Sequence, residues 1–250
     1  MISFDAAGQG SKRVVQLDEL KRRWQETPQA EYRCDRNLNL YKTLGQPGLV
    51  TQAAKDLQLK ITAVSPAGVQ VRLCADDYPG WLQLNDLAAL TPTAAPYQSP
   101  TITRQAIERA IPGAIAFAQA AMAVPNEYLW GGTVAPNYDC SGLVQAAFAS
   151  VGVPLPRDSY QQEAFTDTMT QDDLKPGDLI FFGSPERTTH VALHLENGRY
   201  IHSSGKDQGR NGIGIDSIVD LSDPVSQTYH GQYRCCGRIM KGYEPQKTPQ

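Results

Sequence analysis

Asp139-Cys140-Ser141-Gly142-Leu143-Val144-Gln145-Ala146-Ala147-Phe148 is the stretch on which the reading of this chain turns. A cysteine stands where a glycine-rich approach, Tyr128-Leu129-Trp130-Gly131-Gly132, leads into a helix with Leu143, Val144, Ala147 and Phe148 at helical spacing. Gly152 before Pro154 ends that helix. At a helix start the N–H groups are unpaired and the dipole is positive, which favours thiolate over thiol. A thiolate is a nucleophile, and a histidine partner would lower its pKa further. A free cysteine is more often a small buried hydrophobe. The polar flanks Asp139 and Ser141 weigh against that for Cys140.

The chain has four histidines, His190, His194, His202 and His230. Three fall in one predicted hairpin around Asn197-Gly198, so the turn decides which can meet. A two-residue loop pairs 195 with 200 and sends His190 and His202 to opposite faces. A three-residue loop, Glu196-Asn197-Gly198 with Gly198 left-handed, pairs 195 with 199. It sets Ala192 opposite His202 and makes His190 its diagonal neighbour, about 7–8 Å away between backbones. A catalytic pair requires the second, so the three-residue loop is the expectation. His190 would then act as general base toward Cys140, and His202 would orient it. His194 has the parity of His190 but lies nearer the turn and reads as structural. His230 falls in a polar loop and carries no chemistry.

Outward from this core, Asp178–Phe182, His190–Leu195, Tyr200–Ser204 and Tyr233–Met240 read as strands. Upstream, Thr101 or Thr103 caps a helix through Ile107, Ile111, Ile115 and Met122, which Pro112-Gly113 should kink or split. Helix-rich sequence followed by strands makes an α+β unit. Residues 91–100, Thr-Pro-Thr-Ala-Ala-Pro-Tyr-Gln-Ser-Pro, read as an extended linker. Between Glu31 and Leu90 short alternating runs such as Val69-Gln70-Val71-Arg72-Leu73 describe a small antiparallel barrel. Val14–Gln25 reads as an amphipathic arm with Val14, Leu17, Leu20 and Trp24 inward. The expected units are an arm over 1–27, a barrel over 28–91, a linker over 92–101 and a catalytic domain over 102–250.

The chain has 250 residues and a net charge of −3, from 23 basic and 26 acidic residues, which is not the profile of a nucleic-acid binder. The cluster Lys21-Arg22-Arg23 is interleaved with acids and reads as a solvated helix face. No apolar run approaches the roughly 18 residues of a membrane span, and the first ten residues lack the basic and apolar regions of a secretory signal. Five cysteines (Cys34, Cys74, Cys140, Cys235 and Cys236) are an odd count that fits reduced thiols better than a disulfide framework. Cys34 and Cys74 read as barrel core, and alternation in the last strand points one of Cys235 and Cys236 inward. No CxxC or zinc-like spacing occurs, so neither metal nor cofactor is expected.

Six blocks, taken in order, resemble the NlpC/P60 family of cysteine peptidases. They are Tyr128-Leu129-Trp130-Gly131-Gly132, Asp139-Cys140-Ser141-Gly142-Leu143, Pro156-Arg157-Asp158-Ser159, Leu174-Lys175-Pro176-Gly177-Asp178-Leu179, His190-Val191-Ala192 and Tyr200-Ile201-His202. Leu38-Asn39-Leu40-Tyr41 and Asp76-Asp77-Tyr78-Pro79-Gly80-Trp81 are similar to a bacterial SH3 (SH3b) domain. Together they resemble two-domain cyanobacterial γ-D-glutamyl-L-diamino acid endopeptidases. The resemblance implies a papain-like α+β domain preceded by a small all-β SH3-like barrel. It implies cleavage between γ-D-Glu and a diamino acid in peptidoglycan peptides. Cys140, His190 and His202 match the family's catalytic positions, and Tyr128 matches a tyrosine beside the nucleophile. Asp139, Ser141 and Ser159 match positions that bind a free N-terminal L-Ala, and Tyr78 would close that end of the site.

The expectation is a cytoplasmic, monomeric endopeptidase of murein peptide recycling whose partner is L-Ala-γ-D-Glu-diamino acid, with no membrane or nucleic-acid partner. Two alternatives stay open. An amidase or acyltransferase would use the same Cys-His-His set, and a wall-binding module would make catalysis secondary.

Overall fold

The computed structural model describes residues 17–45 and 48–246. Residues 1–16 of the expected arm and 247–250 of the expected catalytic domain lie outside this description. The arm itself is a helix, α1 (Leu17–Glu26), with Leu20 fully buried. Seven strands follow: β1 (Glu31–Cys34), β2 (Leu38–Tyr41), β3 (Leu49–Ala53), β4 (Gln58–Ser65), β5 (Gly68–Leu73), β6 (Pro79–Gln83) and β7 (Leu90–Pro92). They form one antiparallel sheet in the order β3-β2-β6-β5-β4-β1-β7. Alternation puts Leu38, Leu40, Leu59, Ile61, Val69, Val71 and Cys34 on one buried face, against which α1 packs Leu20. The sheet is SH3-like but not closed into the barrel the alternation suggested, since β3 and β7 are edges with no hydrogen-bond ladder between them. β7 also takes Thr91 and Pro92 from the proline-rich stretch and pairs them with β1. The rest of that stretch is tied down by Tyr97, whose N–H donates to Glu31 at 2.6 Å.

The second half is α+β. It comprises α2 (Arg104–Met122), β8 (Thr133–Val134), β9 (Asn137–Tyr138), α3 (Cys140–Ala149), α4 (Ser159–Phe165), β10 (Asp167–Met169) and β11 (Leu179–Gly183). β12 (Thr188–His194), β13 (Arg199–Ser204), β14 (Gly212–Ser217), α5 (Pro224–His230) and β15 (Tyr233–Arg238) complete it. Thr103 caps α2, as expected. Pro112 lies inside one continuous helix, so of the kink or split expected there the split does not occur. Pro112 and Glu108, whose carbonyl it deprives of a donor, are both exposed residues, where the lost bond costs least. The six-stranded sheet runs β10-β15-β11-β12-β13-β14. Its core joins Leu179, Phe181, Val191, Leu193 and Ile201 to Leu143, Val144, Ala147 and Phe148 of α3. That packing presses the N-terminus of α3 against β12.

The hairpin between β12 and β13 has the expected register. Leu193 pairs with Ile201 and His194 with Tyr200, which extends to Leu195 N–H donating to the Arg199 carbonyl at 2.9 Å. The loop itself differs from the expectation. Asn197 and Gly198 both take positive φ, 53° and 71°, and Arg199 N–H donates to the Glu196 carbonyl at 2.9 Å, so the tip is a tight Asn-Gly turn of the I′ kind. The expected register is reached because Leu195 and Glu196 both bond Arg199 across a bulge. His230 belongs to the last turn of α5 rather than to a loop.

Candidate active site

Cys140 is the first residue of α3, and Asp139 is its N-cap, accepting from Gly142 N–H at 2.7 Å. Gly142 is required by space, because a Cβ there would stand 2.0 Å from the Gly132 carbonyl oxygen. The glycine loop thus lies directly on the helix start, and Gly131 N–H donates to Asp139 Oδ2 at 2.8 Å. Arg157, 1% exposed, takes the same carboxylate in a fork, Nη2 to Oδ2 at 2.6 Å and Nη1 to Oδ1 at 3.1 Å. Nη1 also donates to Ser141 Oγ at 2.9 Å, and Nε to Thr51 Oγ1 on β3 at 2.9 Å. One guanidinium therefore ties α3 to the SH3-like sheet. Ser141 Oγ in turn donates to Asp139 Oδ1 at 3.3 Å. The carboxylate of Asp139 and the hydroxyl of Ser141 are occupied within the protein.

The His190–His202 pair sits in the sheet beside Cys140. Backbone pairing of β12 with β13 stops at Leu193–Ile201, and beyond it the side chains join instead. His190 Nε2 is 2.7 Å from His202 Nδ1. His202 Nε2 is 2.6 Å from Asp216 Oδ2 on β14, and Arg210 holds the far side of that carboxylate. Tyr229 of α5 covers the pair, its ring 4.4 Å from that of His190 and its hydroxyl 2.6 Å from Ser204 Oγ. Phe182 and Tyr200 pack against the same rings. The pair is therefore shielded from water.

Burial sets the protonation states. It pushes the Cys140 thiol up to about 12, Asp139 adding to the effect, while the N–H groups of Val191 and Ser141 directed at the sulfur oppose it. Burial, then the neighbouring His202, drives His190 well below the ordinary histidine value. His202 is lowered by burial too, against the pull of Asp216. The resting pair is a neutral thiol and a neutral imidazole, not the thiolate expected from the helix terminus. Desolvation is the largest influence on both groups.

A cleft of about 1070 Å³ runs between the SH3-like sheet and this site. Tyr78, Tyr128, Asp139, Cys140, Ser141 and Ser159 all line it, so the structure brings the expected residues to one place. His194 stays apart, bonding the Lys175 carbonyl through Nδ1 at 2.9 Å. Tyr78 crosses from the SH3-like side, its hydroxyl 3.2 Å from both oxygens of Asp158, the residue before α4. Burial raises the Asp158 carboxyl, with Arg157 and Tyr78 opposing.

Sequence reasoning missed Arg157, Asp158, Asp216 and Tyr229. Arg157 and Asp158 stood beside Ser159 in a quoted block and were passed over. Asp216 had a signal in the alternation Ile213-Gly214-Ile215-Asp216, a strand left unread. Tyr229 comes from a helix remote in sequence, with no local signal.

Residues 125–235 match the model of the NlpC/P60 family, and residues 40–87 that of the bacterial dipeptidyl-peptidase Sh3 domain. A probable endopeptidase from Corynebacterium glutamicum is 32% identical over 145 residues, 56% of this chain and 68% of that protein. The chain belongs to the NlpC/P60 family. Other relatives in the family are matched over less of their own length. The chain is 36% identical over 101 residues to the probable endopeptidase p60 of Listeria monocytogenes, which spans 40% of this chain but 20% of p60. It is 37% identical over 139 residues to the peptidoglycan endopeptidase RipB of Mycobacterium tuberculosis, 50% of this chain and 56% of RipB. Among solved structures, NlpC/P60 family neighbours include RipB, 31% identical with a TM-score of 0.44, covering 56% of this chain and 69% of that one.

Proposed function

We propose that this NlpC/P60 protein is a cysteine endopeptidase that hydrolyses the γ-D-Glu–diamino acid bond of peptidoglycan-derived peptides with a free N-terminal L-Ala. The observation that carries the reading is the neutral Cys140 at the floor of a cleft, backed by His190 and His202 and walled by the Tyr78–Asp158 contact. Cys140 attacks the γ-carbonyl as His190 takes its proton, and the tetrahedral oxyanion faces Tyr128 and the start of α3. The leaving amine takes that proton, and water then hydrolyses the thioester with His190 again as base. Relatives whose names carry peptidoglycan endopeptidase activity, such as RipB, support this substrate class.

The ammonium partner is reassigned. Asp139 is neutralised by Arg157 and capped by Gly142, so it has no capacity for a ligand cation. Asp158 lines the cleft, bonded by the Tyr78 hydroxyl and with the Arg157 charge, already forked onto Asp139, nearby, and it is the carboxylate we assign to the substrate's free ammonium. Ser159 and Tyr78 complete that end. A cleft walled one residue before γ-D-Glu suits short released fragments, and we assign the enzyme to their recycling.

The test is to incubate the protein with L-Ala-γ-D-Glu-meso-diaminopimelate and its N-acetylated form and follow diaminopimelate release by mass spectrometry. Faster cleavage of the free form is expected. Cleavage of neither overturns the endopeptidase reading, and equal cleavage of both overturns the ammonium anchor.

A further inference from the structure

We infer that Asp216, clamped by Arg210, is a positioning residue that selects the tautomers of both buried histidines and so leaves His190 Nδ1 unprotonated to receive the Cys140 proton. This rests on the reading of Cys140 and His190 as nucleophile and base. The argument is a count of hydrogens. Arg210 has only donors, and two of its N–H groups reach the two oxygens of Asp216, so the carboxylate is ionised. Burial alone would raise this carboxyl, but the bonds from His202 and Arg210 hold it below the usual range. An ionised carboxylate only accepts, so the 2.6 Å contact places the hydrogen on His202 Nε2.

A neutral imidazole carries one N–H, which makes His202 Nδ1 an acceptor. Its partner at 2.7 Å, His190 Nε2, must then donate. The remaining nitrogen of His190, Nδ1, keeps its lone pair. During attack the S–H proton passes to Nδ1, the S–C bond forms, and the carbonyl π pair moves to oxygen. The positive charge appearing on His190 is then stabilised through His202 by Asp216.

The fold makes room for this arrangement. β14 pairs with β13 so that Gly214 lies opposite His202, and Asp216, two residues on, shares its face. A Cβ at Gly214 would stand 2.4–2.6 Å from atoms of the Arg210 side chain, so the missing side chain is the space the guanidinium uses to reach Asp216.

Long-range proton–nitrogen NMR of histidine-labelled protein at neutral pH reads the tautomers directly. His190 and His202 are expected to carry hydrogen on Nε2 only, with His194, whose Nδ1 faces the Lys175 carbonyl, as the opposite reference. A hydrogen on Nδ1 of either ring in the wild-type protein overturns the inference without any variant. In Asp216→Asn the amide oxygen must face Arg210 and its NH2 must face His202, which reverses both tautomers. kcat is expected to fall by about 10²–10⁴-fold with KM within roughly threefold, and Asp216→Glu to restore part of the rate and the original tautomers. An Asn variant with wild-type tautomers and rate overturns the inference. If wild type shows the expected tautomers yet cuts no muropeptide, the relay stands and the substrate reading falls.

Discussion

Asp139-Cys140 and Asp158-Ser159 are the same local device used twice. In each, an aspartate stands at a helix N-cap and a nucleophilic side chain occupies the first helical position. Their surroundings separate them. At α3 the carboxylate is sealed by Arg157 and the sulfur lies beside a buried histidine pair. At α4 the carboxylate faces the cleft and is met by a tyrosine from another sheet. A helix terminus supplies N–H groups and a dipole to both. What stands opposite is what suits one to the proposed nucleophile and the other to the proposed cation.

The sharpest break of that comparison is kinetic. Cys140→Ala is expected to lower peptide hydrolysis by about 10⁴-fold or more with the fold intact, while Ser159→Ala lowers it by no more than about tenfold. Mass-spectrometric product release and circular dichroism check both. Equal losses would erase the distinction between the two helix ends.

Next in size is stability. Arg157→Met leaves Asp139 as a buried, unpaired charge and is expected to cost about 3–5 kcal/mol in denaturant unfolding. A cost below about 1 kcal/mol would mean that Asp139 is not sealed.

The third test is pH. In the unfolded chain His190 and His202 take up protons below about pH 6.5, whereas burial holds both lower in the fold. The unfolded state then binds more protons, so stability falls as pH drops through this window, by up to about 1.4 kcal/mol per pH unit per histidine. Asp216, with its pKa depressed in the fold, keeps its contribution until the pH falls below about 4. Unfolding curves from neutral pH to about 5.5 read the slope; a flat profile would mean that the fold does not depress the pair, and stability rising as pH falls would mean that the pair is already charged.

Smaller effects belong to α4. Asp158→Asn is expected to raise KM for the free-amine peptide by roughly 10–100-fold and to leave the N-acetylated peptide unchanged. Tyr78→Phe removes one hydroxyl and should raise the same KM by roughly 2–10-fold. If neither variant separates the two peptides, the ammonium is bound elsewhere.

What was legible from the chain was periodic or local. Alternation located β2, β5 and β6, helical spacing located α2 and α3, and the turn residues Asn197-Gly198 set a register that brings His190 to His202. Where reading failed, the deciding partner was distant or the environment overrode a local rule. Pro112 breaks a helix only where its lost bond cannot be made to water. The helix dipole favours a thiolate only until desolvation is counted. Whether seven strands close into a barrel depends on their edges meeting, which alternation within each strand does not encode.

Residue order alone therefore carried the family and the candidate nucleophile with its two histidines, because these rest on side-chain chemistry and on periods of 2 and 3.6. Tertiary structure decided which aspartate is neutralised, which one faces the cleft, and which one governs the histidines. Those roles depend on Arg157, Tyr78 and Arg210. Each reaches its aspartate through a buried or half-buried contact, from 80 residues away for Tyr78, 18 for Arg157 and six for Arg210, and the strength of such a contact depends on the water the surrounding chain excludes.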